Sequence, residues 1–187
     1  MVKTMVQSFL GLEIEPQFNK PYLASSLQDF WGKRWNLMVT SILRPSVYYP
    51  VVRVFSRWIG KSWAQKFGVF ATFIVSGLMH ELIFYYLGRV KPTWEVMLFF
   101  VLHGVCMAVE IAVKKILKDK WQLHPVVSTP LVIGFVVATG YWLFFPQLLR
   151  CDAVDRAVKE YAAVVEFMKN VGQIMMIYLA KIGVLSL

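Results

Sequence analysis

Apolar positions in this chain gather into long runs separated by short polar stretches. Phe67 to Leu87 holds one carboxylate, Glu81, with His80 beside it. Trp94 to Val113 holds His103 and Glu110, and Val126 to Leu149, "VVSTPLVIGFVVATGYWLFFPQLL", carries no charge. Each run has the roughly 20 residues that a helix needs to cross a bilayer. A fourth run, Tyr161 to Leu185, is interrupted by Glu166, Lys169 and Lys181, so part of it suits the membrane interface. The pattern predicts an all-α, polytopic transmembrane bundle of about four spanning helices.

Ahead of the runs lies a different pattern, Ser25 to Gly60, in which Trp, Tyr, Arg and Lys alternate with aliphatic residues. Ser25 or Ser26, with Asp29 nearby, is placed to cap a short helix, and Pro45 and Pro50 are expected to break the rest of the segment into pieces. Aromatic and basic side chains together are what headgroup-level segments contain. The segment reads as short interfacial helices, with a re-entrant or short spanning hairpin as the other reading. The chain divides accordingly into an interfacial part, 1–66, and a transmembrane part, 67–187, of one membrane domain.

Composition supports the membrane assignment: 58% of the residues are hydrophobic and only 17% charged, with a mean hydropathy of +0.56, whereas soluble domains carry about a quarter charged residues. The net charge of +9 would suggest nucleic-acid binding in a soluble chain. Here the basic residues sit between the runs, where topology and headgroups require them. Arg44, Arg53, Arg57, Lys61 and Lys66 precede the first run, and Lys114, Lys115, Lys118 and Lys120 follow the second; the other side has Arg89, Lys91, Arg150, Arg156 and Lys159. The richer side is expected in the cytosol. Cys106 and Cys151 form no disulfide or zinc pattern.

Ionisable groups inside a span are costly, and they mark either a functional site or an interhelical hydrogen bond. At a rise of about 1.5 Å per residue, His80 lies about 10 Å from the outer end of its helix and His103 about 14 Å from the same side of the next. They sit at similar depth on antiparallel neighbours and are candidates to line one chamber. His80 and Glu81 are about 100° apart on the helix, so only one of them can face it squarely. A neutral imidazole in a dry cavity can take a proton from an alcohol attacking a thioester. The sequence offers no nucleophile-elbow serine and no metalloprotease spacing.

Four blocks, "SLQDFWGKRWNLMVTSILRPSVYYPV", "VSGLMHELIFYY", "PTWEVMLFFVLHGVCMAVE" and "TGYWLFFPQLLR", resemble in this order the plant wax synthase branch of the membrane-bound O-acyltransferase family, the long-chain-alcohol O-fatty-acyltransferases. The resemblance runs from about Leu12 to the C-terminus. It implies a polytopic endoplasmic-reticulum enzyme that esterifies a lipophilic alcohol with the acyl group of acyl-CoA, with no metal or redox cofactor. It implies His80 as the catalytic base and Asn36 as its partner, with Trp31, Arg34 and Trp35 in the acyl-CoA-side block. His103 belongs to this branch's pattern without a settled role, and Glu81 is given a supporting one. Family members begin with further spanning helices, so the chain is expected to be the C-terminal portion. Diacylglycerol or sterol acceptors, and an inactive fragment, are the competing functional readings. A transporter or proton relay is disfavoured by the Trp- and Arg-rich block and by the absence of paired discontinuous helices.

Overall fold

The computed structural model describes residues 16–89, 91–117, 123–151 and 153–181. The stretch 1–15, Lys118, Lys120 and residues 182–185 of the fourth apolar run lie outside the described residues. Ser26 opens the first helix: its Oγ accepts the Asp29 amide at 3.0 Å, starting α1 (Leu27–Asp29), which passes directly into a π-helical turn, Phe30–Arg34. Asn36 then starts α2 (Leu37–Leu43), and a second π-turn, Arg44–Tyr48, leads into α3 (Tyr49–Ile59). The two prolines therefore do not cut this stretch into pieces. Pro45 has no N–H to donate to the preceding turn, and the helix absorbs that loss by widening into the π-turn and carrying on. Pro50 sits in the first turn of α3, where a missing N–H costs little.

Gly60, at φ 78°, reverses the chain into α4 (Lys61–Gly88), a conformation that glycine adopts without strain. α4 pairs with α5 (Glu95–Ile116). The third run is a compound helix: α6 (Pro125–Thr139), a π-turn at Gly140–Phe144, and α7 (Phe145–Arg150). Among the described residues, Lys61–Gly88, Glu95–Ile116 and Pro125–Arg150 are long and apolar enough to cross a membrane, and no element is a strand. The expected fourth span forms a long helix, α8 (Ala153–Lys181), which is not among the three. Lys159, Glu160, Glu166 and Lys169 interrupt its apolar positions. Between residues 158 and 178 nearly all its side chains are exposed. Among the described residues the spans are therefore three rather than the four expected.

The core forms where α4 crosses α5: Val69, Phe73 and Phe84 pack with Val96, Phe99, Phe100 and Met107, with Trp31, Tyr48 and Phe144 at the edge. Small residues allow the crossing. A Cβ on Gly104 would lie 2.9 Å from Phe73 Cβ, and one on Gly77 would strike Met97, the close approach that glycine permits between membrane helices. Gly104→Leu is expected to destabilise the bundle by about 1–3 kcal/mol through overpacking. Gly134→Leu, on α6 with nothing within 4 Å, should leave stability unchanged. Thermal melting of the purified variants in detergent compares the two, and equal melting temperatures would contradict the packing account.

Candidate active site

A cavity of about 800 Å³ lies between the Phe30–Tyr49 stretch and the three spans. Its wall is largely apolar and rich in aromatic rings, among them Trp31, Trp35, Phe73, Phe100 and Phe144, and its polar groups include Lys33, Asn36, Arg44, Gln65 and His80. An apolar chamber with few polar groups is the usual form of a small-molecule site.

His80 is held by its own helix. Its Nδ1 is 2.8 Å from the carbonyl oxygen of Ser76, one turn earlier. A carbonyl can only accept, so Nδ1 carries the proton and Nε2 keeps its lone pair. Nε2 makes no hydrogen bond to a described residue, in a ring that lines the cavity. Phe100, Phe144 and Phe84 pack around that ring at centroid distances of 4.7, 5.6 and 6.4 Å. The result is a fixed imidazole with one free proton acceptor in an apolar chamber.

Asn36 enters the same cavity from the pre-span segment. It sits in the left-handed region, φ 42° and ψ 64°, and its Oδ1 caps α2 by accepting the Val39 amide at 3.3 Å. Asn tolerates this backbone better than most residues because its short side chain bonds locally. The cap uses the oxygen and leaves the Nδ2 amide without a partner among the described residues. Trp35, beside it, stacks on Phe30 at 5.4 Å. Trp31 is the hub of the wall, touching Phe73, Phe99, Phe100 and His103.

Three of the residues singled out from the sequence stand outside the cavity wall. Arg34 donates to Asp29 Oδ2 at 2.6 Å and to the carbonyl of Lys20 at 3.2 Å, so it locks its own segment, while Lys33 lines the cavity instead. His103 is fully buried. Its Nδ1 donates to the Phe99 carbonyl at 2.8 Å, and its ring is wedged between Phe99, Phe135 and Trp31. The shared chamber expected for the two histidines is therefore not formed: His80 lines the cavity and His103 does not, with Phe100 of α5 against His80 and Phe99 against His103. Glu81 is buried, and its Oε1 accepts the Met97 amide at 3.1 Å, capping the start of α5 from the neighbouring span.

A further residue was not legible as part of this arrangement. Glu110, on α5, accepts the amides of Leu27 at 2.8 Å and Gln28 at 3.4 Å, and pairs with Lys114 at 2.7 Å. It clips to the second span the segment that carries Trp31 and Asn36. The only signal in the sequence was a carboxylate near the end of an apolar run, with no indication of a partner 83 residues away. Glu110→Ala is expected to speed amide exchange across Leu27–Asn36 by roughly ten- to a hundredfold, the worth of hydrogen bonds to a charged acceptor. Glu110→Gln, which keeps an accepting oxygen, should do so less. Hydrogen–deuterium exchange reads the difference, and identical rates in all three proteins would exclude the clip.

Comparison with known proteins gives a consistent result. Residues 14–102, which include Asn36 and His80, match the model of the membrane bound O-acyl transferase family. The chain is 51% identical over 174 residues to acyl-CoA–sterol O-acyltransferase 1 of Arabidopsis thaliana, covering 93% of this chain and 50% of that protein. It is 54% identical over 157 residues to the long-chain-alcohol O-fatty-acyltransferase of Simmondsia chinensis, covering 84% and 45%. It is 48% identical over 170 residues to probable long-chain-alcohol O-fatty-acyltransferase 8 of Arabidopsis thaliana, covering 91% and 50%. The chain thus spans about half the length of these relatives.

Proposed function

From the match of residues 14–102 to the membrane bound O-acyl transferase family, we propose that the chain forms the reaction chamber of an acyl-CoA-dependent O-acyltransferase that esterifies a long-chain alcohol. The observation that carries the reading is the free Nε2 of His80 in the same apolar cavity as Asn36.

In this reading the alcohol oxygen attacks the thioester carbonyl while its proton passes to His80 Nε2. The new C–O bond replaces the C–S bond, coenzyme A leaves as the thiolate, and the proton follows it out. The Asn36 amide N–H group is the donor for the carbonyl oxygen as it gains negative charge. The acyl group arrives already activated, so direct attack requires no acyl-enzyme, metal or redox group. Lys33, exposed at the cavity wall, suits the phosphates of acyl-CoA, and the lysine- and arginine-rich side faces the cytosol of an endoplasmic-reticulum membrane. The Arabidopsis relative named for sterol acylation makes a sterol the second acceptor to examine.

Ester synthesis tests the proposal. The chain is expressed in a host without neutral-lipid acyltransferases, and its membranes receive radiolabelled acyl-CoA with hexadecanol, cholesterol or diacylglycerol. Labelled wax ester is the expected product. Absence of ester from every acceptor, with the chain present in the membrane, would overturn it and leave an inactive membrane fragment as the reading.

A further inference from the structure

The described glycines fall into groups with different reasons for lacking a side chain. Gly68, Gly77, Gly88 and Gly104 lie where a Cβ would strike a neighbour at 2.5–2.9 Å, and Gly60 needs its positive φ. Gly32, Gly134, Gly140 and Gly172 fit neither group, and of these four only Gly140 is buried. Its backbone is ordinary right-handed helix, φ −61° and ψ −45°, open to any residue except proline. A Cβ there meets nothing nearer than Phe145 Cε2, at 3.9 Å. Yet Gly140 is buried, and it lines the cavity. A buried, cavity-lining residue whose Cβ would meet a single ordinary contact and no clash is one whose missing side chain leaves its space to the cavity. Glycine is unfavourable in a helix relative to alanine, and neither backbone nor helix packing offsets that at this position.

The location gives the space a use. Gly140 opens the π-turn Gly140–Phe144, and Phe144, at the other end of that turn, packs against the His80 ring. The gap therefore lies one helical turn from the aromatic that shields the base. Of the two substrates, the acyl thioester is a straight chain at its reacting carbon, whereas alcohols differ in bulk beside the hydroxyl. We propose that Gly140 is a specificity-determining residue: the space it leaves admits lipophilic alcohols that are branched or ring-fused next to the hydroxyl. This rests on the acyltransferase reading for the identity of the ligand.

An isomeric pair isolates shape from hydrophobicity. Saturable binding of tritiated 1-hexadecanol and of tritiated 2-hexyldecanol is measured on the purified chain in nanodiscs, and on Gly140→Ala, Gly140→Leu and Gly134→Leu. Gly140→Leu should weaken the branched isomer by about tenfold or more relative to the straight one, the scale on which apolar pockets discriminate shape. Gly140→Ala should fall between, and Gly134→Leu, on the same compound helix but outside the cavity, should change neither. Parallel loss of both isomers, loss of neither, or no saturable binding to the unsubstituted chain would overturn the proposal. Ester synthesis on the same preparations separates the two readings. Shape discrimination without ester would sink the catalytic reading alone, and ester without discrimination would sink the role of Gly140 alone.

Discussion

Replacing His80 by alanine should lower ester formation by about 10²- to 10⁴-fold, the usual contribution of a positioned general base, at unchanged protein level. The expectation follows from how the ring is held. Ser76 supplies a backbone carbonyl that fixes Nδ1 as the donor, so the lone pair on Nε2 exists without help from any other side chain. Phe84, Phe100 and Phe144 hold the ring in place. Among the described residues, the other histidine within a span, His103, is buried against three aromatic rings and cannot substitute. Because the ring already borders a cavity, its removal enlarges existing space, and the melting temperature should fall much less than the rate. Rates of labelled ester formation, set beside thermal melting, check both parts. A His80→Ala protein that turns over at the rate of the unsubstituted chain would remove the base from the mechanism.

Asn36 should show the second-largest effect, and its two jobs can be separated. Asn36→Asp keeps an oxygen to cap α2 and a side chain that tolerates the left-handed backbone. It replaces the amide donor with a second oxygen, so a carbonyl gaining negative charge meets repulsion instead of an N–H group. Ester formation should drop by roughly 10²- to 10³-fold, the cost of losing one such donor, while stability stays close to that of the unsubstituted chain. Asn36→Ala removes the donor and the cap, and strains the backbone at φ 42°; it should lose about 1 kcal/mol of stability in addition. Parallel activity assays and melts on the two variants distinguish the jobs. Normal turnover by Asn36→Asp would leave the residue as a helix cap only.

The parts legible in the sequence are those that one dimension encodes. Three long runs with few charges became three long apolar helices, because backbone groups in a bilayer must be satisfied within the segment. Ser26 capped a helix as its position before Asp29 suggested. A fixed rise per residue lets the sequence suggest a depth, but rotation about the helix axis is not encoded in it. That is why both His80 and His103 were candidates for one chamber while only His80 lines the cavity. Arg34 was placed with Trp31 and Trp35 by resemblance, and its engagement by a carboxylate five residues away, Asp29, was not encoded in that block's pattern. The π-turn at Arg44–Tyr48 escaped because a proline can end, kink or widen a helix, and the outcome depends on what packs around it. The Glu110 clip and the Glu81 cap depend on contacts between elements that no local pattern records.

The central claim is that the cavity between the Phe30–Tyr49 stretch and the three spans is where the substrates meet. Photo-crosslinking tests it most directly and does not depend on turnover. Membranes containing the chain are irradiated with a long-chain alcohol that carries a diazirine near its hydroxyl, and the labelled peptides are mapped. Label on residues 31–36, 73–80 or 136–144, competed away by excess unlabelled alcohol, is the predicted result. Competable label confined to α8 or to the outward faces of the spans would contradict the account.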